Sequence, residues 1–264
     1  MILIADSGST KTDWCYGTEI ANCKIVQTEG INPFHQPEEK IQSIIYNELL
    51  PQLETPIQRC TAIYFYGAGC LPPKTESITR VLQNTFPEAD IFIETDLLGA
   101  ARALCKNEAG IACILGTGSN SCLYDGKTII QNIPPLGYIL GDEGSGAYLG
   151  KRFISDCLKG QLPEILRDGL QEKFDLTIPE ILDKVYRQPQ ANRFLASFTP
   201  YIYEHRRMTQ VHAFLLDCFG EFFRRNVLMY PQIFPVSLSA PLHGTFTKNW
   251  KSLHILLIYH LEFL

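Results

Sequence analysis

Asp6-Ser7-Gly8-Ser9-Thr10-Lys11-Thr12 gathers one carboxylate, four hydroxyls, a lysine and a glycine into consecutive positions. The apolar run just before it, residues 1–5, reads as a short buried strand, and the polar run must turn sharply before a second strand starts near Thr12. Gly8 gives that turn its conformational freedom and lets a ligand approach the backbone. The hydroxyls and N–H groups of residues 7–11 are expected to converge on one small space that suits a phosphate. Asp6, at the strand end, is the kind of hard oxygen ligand that holds magnesium through water. A plain acidic β-turn has the same composition. A second copy favours the phosphate reading: residues 111–122 read I-A-C-I-L-G-T-G-S-N-S-C, an apolar strand, a glycine-rich hydroxyl turn and another strand.

Further candidates sit where strands end. Thr95-Asp96 closes an apolar run at residues 90–94, and a helix over 97–106 follows, with Asp96 at or near its N-cap. Asn32 lies in the loop Gly30-Ile31-Asn32-Pro33-Phe34, as a ligand contact or simply a turn asparagine. Residues 137–146, G-Y-I-L-G-D-E-G-S-G, set four glycines beside Asp142 and Glu143. That composition argues for close backbone approach to a ligand.

The elements that must position these groups form a duplicated pattern. Strands are expected at 13–17 and 19–28 around a turn at Gly17-Thr18. A helix over 38–50, a strand at 61–66, a helix over 74–85 and the strand at 90–94 follow. The order β-β-β-α-β-α-β-α belongs to a mixed α/β sheet with helical crossovers. The second half restarts at Gly110 with strands at 111–115, 119–124 and 128–133, the last two joined by Asp125-Gly126. A helix should run from the glycine-rich segment to about Leu158. Residues 162–230 are expected to be helical, and Phe214, Leu215, Cys218, Phe219 and Phe222 mark an amphipathic face belonging to the core. Two β-β-β lobes, each opening with a hydroxyl-rich turn, would bracket a nucleotide cleft.

Composition bounds the function. With 45% hydrophobic and 19% charged residues, the chain has material for a sizeable core. A net charge of −5 without a basic block argues against nucleic acid or an anionic membrane as partner. Asp6 interrupts the opening apolar run, so no secretory signal is read and a cytoplasmic location is expected. Nine cysteines without a C-x-x-C pattern read as reduced core thiols rather than a metal or iron–sulfur site.

Residues 6–12 resemble the first phosphate motif of the superfamily of acetate and sugar kinases, heat-shock chaperones and actin, and Leu115-Gly116-Thr117-Gly118-Ser119 resembles the second. Within it, G-I-N-P-F, T-D-L-L-G-A-A-R-A and L-G-D-E-G-S-G-A-Y-L-G are similar to the N-acetylglucosamine kinase group. That group belongs to the BadF/BadG/BcrA/BcrD ATPase family, together with the activator ATPases of benzoyl-CoA reductase. The likeness covers about residues 1–235. It implies an actin-like, ribonuclease H-like duplicated two-lobe α/β fold, with lobes at 1–107 and 108–235. It also implies ATP-dependent phosphorylation of an amino sugar, with ATP and Mg²⁺ required and homodimers ordinary. Asp96 would be the general base and Asp6 the Mg²⁺ residue. Ser7, Gly8, Ser9, Thr10, Lys11 and Thr12 would surround the phosphates, Lys11 being phosphate-facing or merely solvated. Gly116, Thr117 and Gly118 would contact phosphate or sugar. Asn32, Asn120, Asp142 and Glu143 would face the sugar, with Asp142 preferred.

The likeness stops at Ser237. The family pattern there is a strand, G-S-[IV]-A and a helix that closes the first lobe. The chain instead reads S-L-S-A-P-L-H-G-T-F-T-K-N-W-K-S-L-H. Shifted by one nucleotide, with permitted third bases, the codons of residues 238–254 can encode V-G-S-I-A-W-Y-F-H-K-E-L-E-E-L-A. Asn249-Trp250 then forces Leu, and Trp250-Lys251 forces Glu. The tail 236–264 is therefore either a natural divergence or the product of a lost nucleotide near Ser237. As written it would lack half of the adenine pocket and weaken kinase activity. An activator ATPase, a non-catalytic sugar sensor and a truncated inactive kinase remain the alternatives. The absence of suitably paired cysteines after Cys122 argues against the activator, and the joint presence of Asp6 and Asp96 against the sensor.

Overall fold

The computed structural model describes residues 1–8, 10–18, 23–54, 56 and 59–239. Ser9 and the tail from residue 240, with its frame-shift reading, lie outside them. The chain divides into two compact units, the first spanning Met1–Lys106 and the second beginning at Asn107.

In the first unit, strands β1 (Ile2–Ser7), β2 (Lys11–Gly17) and β3 (Lys24–Glu29) form an antiparallel meander. β4 (Ala62–Gly67) and β5 (Asp90–Thr95) add in parallel, giving the order β3-β2-β1-β4-β5. The crossovers carry α1 (Glu38–Ile44) and α2 (Thr75–Thr85), and α3 (Asp96–Cys105) follows β5. Alternation decides the faces. Leu3, Ala5, Trp14, Tyr16, Ile63 and Phe65 point inward to a core completed by Ile41, Ile44, Ile78 and Leu82. The helix expected over 38–50 is α-helical only to Ile44. It continues as a wider π turn, Ile45–Leu49, and a 3₁₀ turn, Leu50–Gln52. The widening sits just ahead of Pro51, whose ring cannot follow a regular helical turn.

The second unit repeats the meander with β6 (Gly110–Leu115), β7 (Ser119–Tyr124) and β8 (Ile129–Ile133). A fourth strand, β9 (Val236–Ser239), pairs parallel to β6 and gives the order β8-β7-β6-β9. The helix expected from the glycine-rich segment is two: α4 (Gly137–Leu140) and α5 (Gly146–Leu158). They are separated because Gly141 passes so close to Pro135 that a Cβ would lie 2.1 Å from the Pro135 carbonyl oxygen, and Asp142 turns into left-handed space at φ 55°. Then follow α6 (Glu164–Phe174), α7 (Ile178–Tyr186), α8 (Ala191–Ala196), α9 (Thr199–Glu204) and α10 (Thr209–Arg225). Phe214, Leu215, Cys218, Phe219 and Phe222 are buried as their spacing indicates. α5 and α8 touch at Gly150, where a Cβ would lie 1.8 Å from the Leu195 carbonyl oxygen. The two meanders, each opening on a hydroxyl-rich turn, make this the duplicated, two-lobed α/β fold of the actin-like proteins. Among the described residues no helix is long and apolar enough to cross a membrane.

Candidate functional site

In the first unit the ends of three strands line up. Ser7 pairs with Gly67, and Gly67 with Thr95, so β1, β4 and β5 end in one transverse row. The carboxyl ends of parallel strands are where open α/β sheets bind ligands. Asp6 and Asp96 flank that row, close enough for the Asp6 charge to raise the Asp96 pKa.

Thr95, not Asp96, caps α3. Its Oγ1 accepts the Leu98 N–H at 3.2 Å, and Asp96 is the first helical residue. The Asp96 Oδ1 accepts the N–H of Leu97 at 2.9 Å. Burial pushes the Asp96 carboxyl up to about 6, the Leu97 N–H opposes this, and the Asp6 charge adds to it. Asp6 is more open, and its pKa is raised by partial burial first and then by Asp13, with Lys11 opposing.

The first turn uses its groups unevenly. Gly8 donates its N–H to the Lys11 carbonyl at 3.0 Å. The Ser7 and Thr12 hydroxyls, 2.6 Å apart, are fully buried. Ser7 also donates to the Ile31 carbonyl at 2.8 Å, and the Ile31 N–H reaches both hydroxyl oxygens, at 3.0 and 3.2 Å. These two hydroxyls therefore pin the turn from inside instead of converging on the space outside it. Thr10 stays exposed, and Lys11 pairs with Asp13 at 2.7 Å. Asn32 accepts the Phe34 N–H on Oδ1 at 3.0 Å, and its Nδ2 has no partner among the described residues. A Cβ on Gly69 would lie 2.2 Å from Asn32 Oδ1, and the Cys70 thiol next to that glycine feels the Asp96 charge. The turn Gly67-Ala68-Gly69-Cys70 thus brings Asn32 and Asp96 to one corner of the unit.

In the second unit the turn Gly116-Thr117-Gly118 is fastened to α5. The Gly146 and Ala147 N–H groups donate to the Gly116 and Thr117 carbonyls at 2.8 and 3.0 Å. Gly116 N–H closes the turn onto the Gly118 carbonyl at 2.8 Å. With the carbonyls held by the helix, the Thr117 and Gly118 N–H groups take no partner among the described residues. Ser145 caps α5 through the Tyr148 N–H at 3.1 Å.

The two acids beside this turn diverge. Asp142, 9% exposed, accepts the Ser119 N–H, and its Oδ2 lies 2.9 Å from where a Gly118 Cβ would be. Burial raises its carboxyl to about 6, with Glu143 adding, and the Ser119 N–H and Lys151 opposing. Glu143 turns instead toward the end of α10, accepting from Asn226 Nδ2 at 3.4 Å and facing Arg225 at 3.9 Å. Asn120 Oδ1 is held by the Ser121 N–H and by Asn132 Nδ2, both at 2.9 Å. Lys151 was not singled out by the sequence. It donates to the Tyr138 carbonyl at 2.7 Å, and its pKa is lowered by burial against the pull of Glu143 and Asp142. Nothing local marks a lysine on α5 as facing these acids. Among the described residues no cluster of His, Cys, Asp or Glu could hold a metal by itself. A single hard carboxylate such as Asp6 does fit a magnesium that keeps most of its waters.

The solved structure of a candidate N-acetylglucosamine kinase from Porphyromonas gingivalis is 46% identical to this chain, with a TM-score of 0.90. The match covers 94% of this chain and 88% of that one. The chain belongs to the N-acetylglucosamine kinase-like family. The resemblance carried by the two glycine turns and by L-G-D-E-G-S-G is borne out at that identity. The solved structure of a candidate N-acetylglucosamine kinase from Chromobacterium violaceum is 20% identical, with a TM-score of 0.70 over 92% of this chain and 88% of that one, and shares the fold. No protein-family model matches the chain. No curated protein sequence matches it either.

Proposed function

We propose that the chain is a sugar kinase that transfers a phosphoryl group from ATP to a hydroxyl of an amino sugar, N-acetylglucosamine being the preferred candidate. The observation that carries this is the Asp96 carboxyl. It lies at a strand end, is released from helix capping by Thr95, and has a pKa raised to about 6. A general base works best when its pKa lies near the working pH. In this reading Asp96 accepts the proton of the attacking sugar hydroxyl, and Asn32 Nδ2, at the same corner, donates to the sugar. Asp6 holds Mg²⁺ through water, and the metal supplies neutralisation of phosphate charge. The first turn offers its backbone and Thr10 to the phosphates. Ser9 is assigned with them from the motif alone, and Lys11 is held by Asp13. The unspent N–H groups of Thr117 and Gly118 suit an anionic or hydroxyl oxygen. Asp142, beside that turn, orients the sugar, and Glu143 and Asn120 support the loop and strand around it.

The 46% identity to a candidate N-acetylglucosamine kinase supports this reading over an activator ATPase or a sensor. The tail is taken as the product of one lost nucleotide, and sequencing the gene at the Ser237 codon tests that separately. The deciding experiment is sugar-dependent ADP release with Mg·ATP over a sugar panel, on this chain and on its frame-restored version. Activity abolished by Asp96→Asn establishes the kinase. Activity confined to the restored chain also locates the defect in the tail. Folded but silent protein in both forms overturns the reading.

A further inference from the structure

Two thiols of the first unit meet without any C-x-x-C pattern to announce them. Cys15 on β2 stands opposite Ile25 on β3. Residues two apart on a strand share a face, so Cys23 lies one diagonal step from Cys15 on the same side of the pair. The two thiols are near enough for Cys23 to raise the Cys15 pKa. Trp14 and Tyr16 point to the core, whereas Cys15 is half-buried on the opposite face and Cys23 is exposed. Six of the other cysteines are buried and Cys105 is half-buried, so the expectation of core thiols fails at this pair. Cys23 precedes the first ladder residue, Lys24, and its backbone is not held by strand pairing.

We propose that Cys15 and Cys23 form a reactive dithiol that closes to an intramolecular disulfide, with a low-molecular-weight disulfide as oxidant. The exposed Cys23 thiolate attacks one sulfur of the oxidant, whose S–S bond breaks, and the released thiolate takes up a proton. The Cys15 thiolate then attacks Cys23 Sγ and expels the second small thiol. Two cysteine thiols lose two protons and two electrons, and the oxidant becomes two thiols. Burial and the neighbouring sulfur raise the Cys15 thiol, so the exposed Cys23 attacks first, and Cys15 enters only at the intramolecular step, where proximity offsets its smaller thiolate fraction. Closing the bond to about 2.05 Å needs side-chain rotation and adjustment at Cys23, which lies outside the ladder.

The test is incubation of the full chain with oxidised glutathione, quenching with an alkylating agent and peptide mapping by mass spectrometry. The expected product is a linked Cys15–Cys23 peptide that reductant reverses. In Cys15→Ser the glutathione adduct should accumulate on Cys23 by about tenfold over the wild-type chain, because the resolving thiol is gone. In Cys23→Ser, Cys15 should stay alkylatable. A persistent adduct at Cys23 in the wild-type chain, links to other cysteines or between chains, or no oxidation would each overturn the proposal. Circular dichroism of both variants checks that the fold is kept.

Discussion

Thr95 and Asp96 divide the start of α3 between them. The Thr95 hydroxyl caps the helix through Leu98, and the Asp96 carboxylate is left with the adjacent Leu97 N–H. Had Asp96 been the cap, its charge would have been held by the helix and its pKa drawn down. One residue of offset leaves a half-buried carboxyl with a pKa of about 6 instead.

Asp96→Asn should therefore abolish sugar phosphorylation while stabilising the protein at pH 8. In the fold the raised pKa disfavours the ionised form, so the stabilisation that Asp96 supplies when protonated is lost as pH rises from about 4 through 6. Asparagine keeps the bond from Leu97 and removes the partly desolvated charge. Denaturation midpoints should show a gain of about 1–3 kcal/mol at pH 8 and none near pH 4.

Activity should follow the same group. The wild-type kcat/KM is expected to rise with pH through about 6, as the base deprotonates. A flat profile between pH 5 and 7 at about constant stability would count against Asp96 as base.

Gly118→Ala and Gly116→Ala should separate. A Cβ on Gly118 meets Asp142 Oδ2 at 2.9 Å and must displace it, whereas the nearest atom to a Gly116 Cβ is the Gly118 carbonyl oxygen at 3.9 Å. Steady-state kinetics should show kcat/KM falling by about 10–100-fold for Gly118→Ala. The same measurement should show little change for Gly116→Ala.

Lys151→Met removes a cation that lowers the Asp142 pKa. Carboxyl-carbon NMR should find Asp142 titrating above its wild-type value of about 6. The direction follows from sign alone: a lost positive charge makes the carboxylate costlier.

Ser7→Ala tests whether the first turn's hydroxyls act inside or outside. The buried Ser7 hydroxyl bonds Thr12 and both backbone groups of Ile31. Its removal should cost about 1–3 kcal/mol in chemical denaturation, with nucleotide affinity changed far less.

The sequence by itself determined the duplicated meander, the two glycine turns and the acid at the end of β5, because all three follow from local alternation and from glycine where the chain must turn. It did not set the faces of β1: Ser7 points inward with Leu3 and Ala5, and Asp6 outward with Ile2 and Ile4, but residues 1–5 are apolar throughout and show no alternation, so the Ser7 hydroxyl was read as facing the ligand space. The partners were decided only in three dimensions. Ile31 holds the Ser7 and Thr12 hydroxyls, the α5 amides turn the Gly116 and Thr117 carbonyls, and the end of α10 draws Glu143 away from Asp142. Each depends on which donor a distant segment brings within about 3 Å, and hydrogen bonding at that range carries no sequence period. The same holds for β9, four residues whose strand identity rests on the open edge of β6.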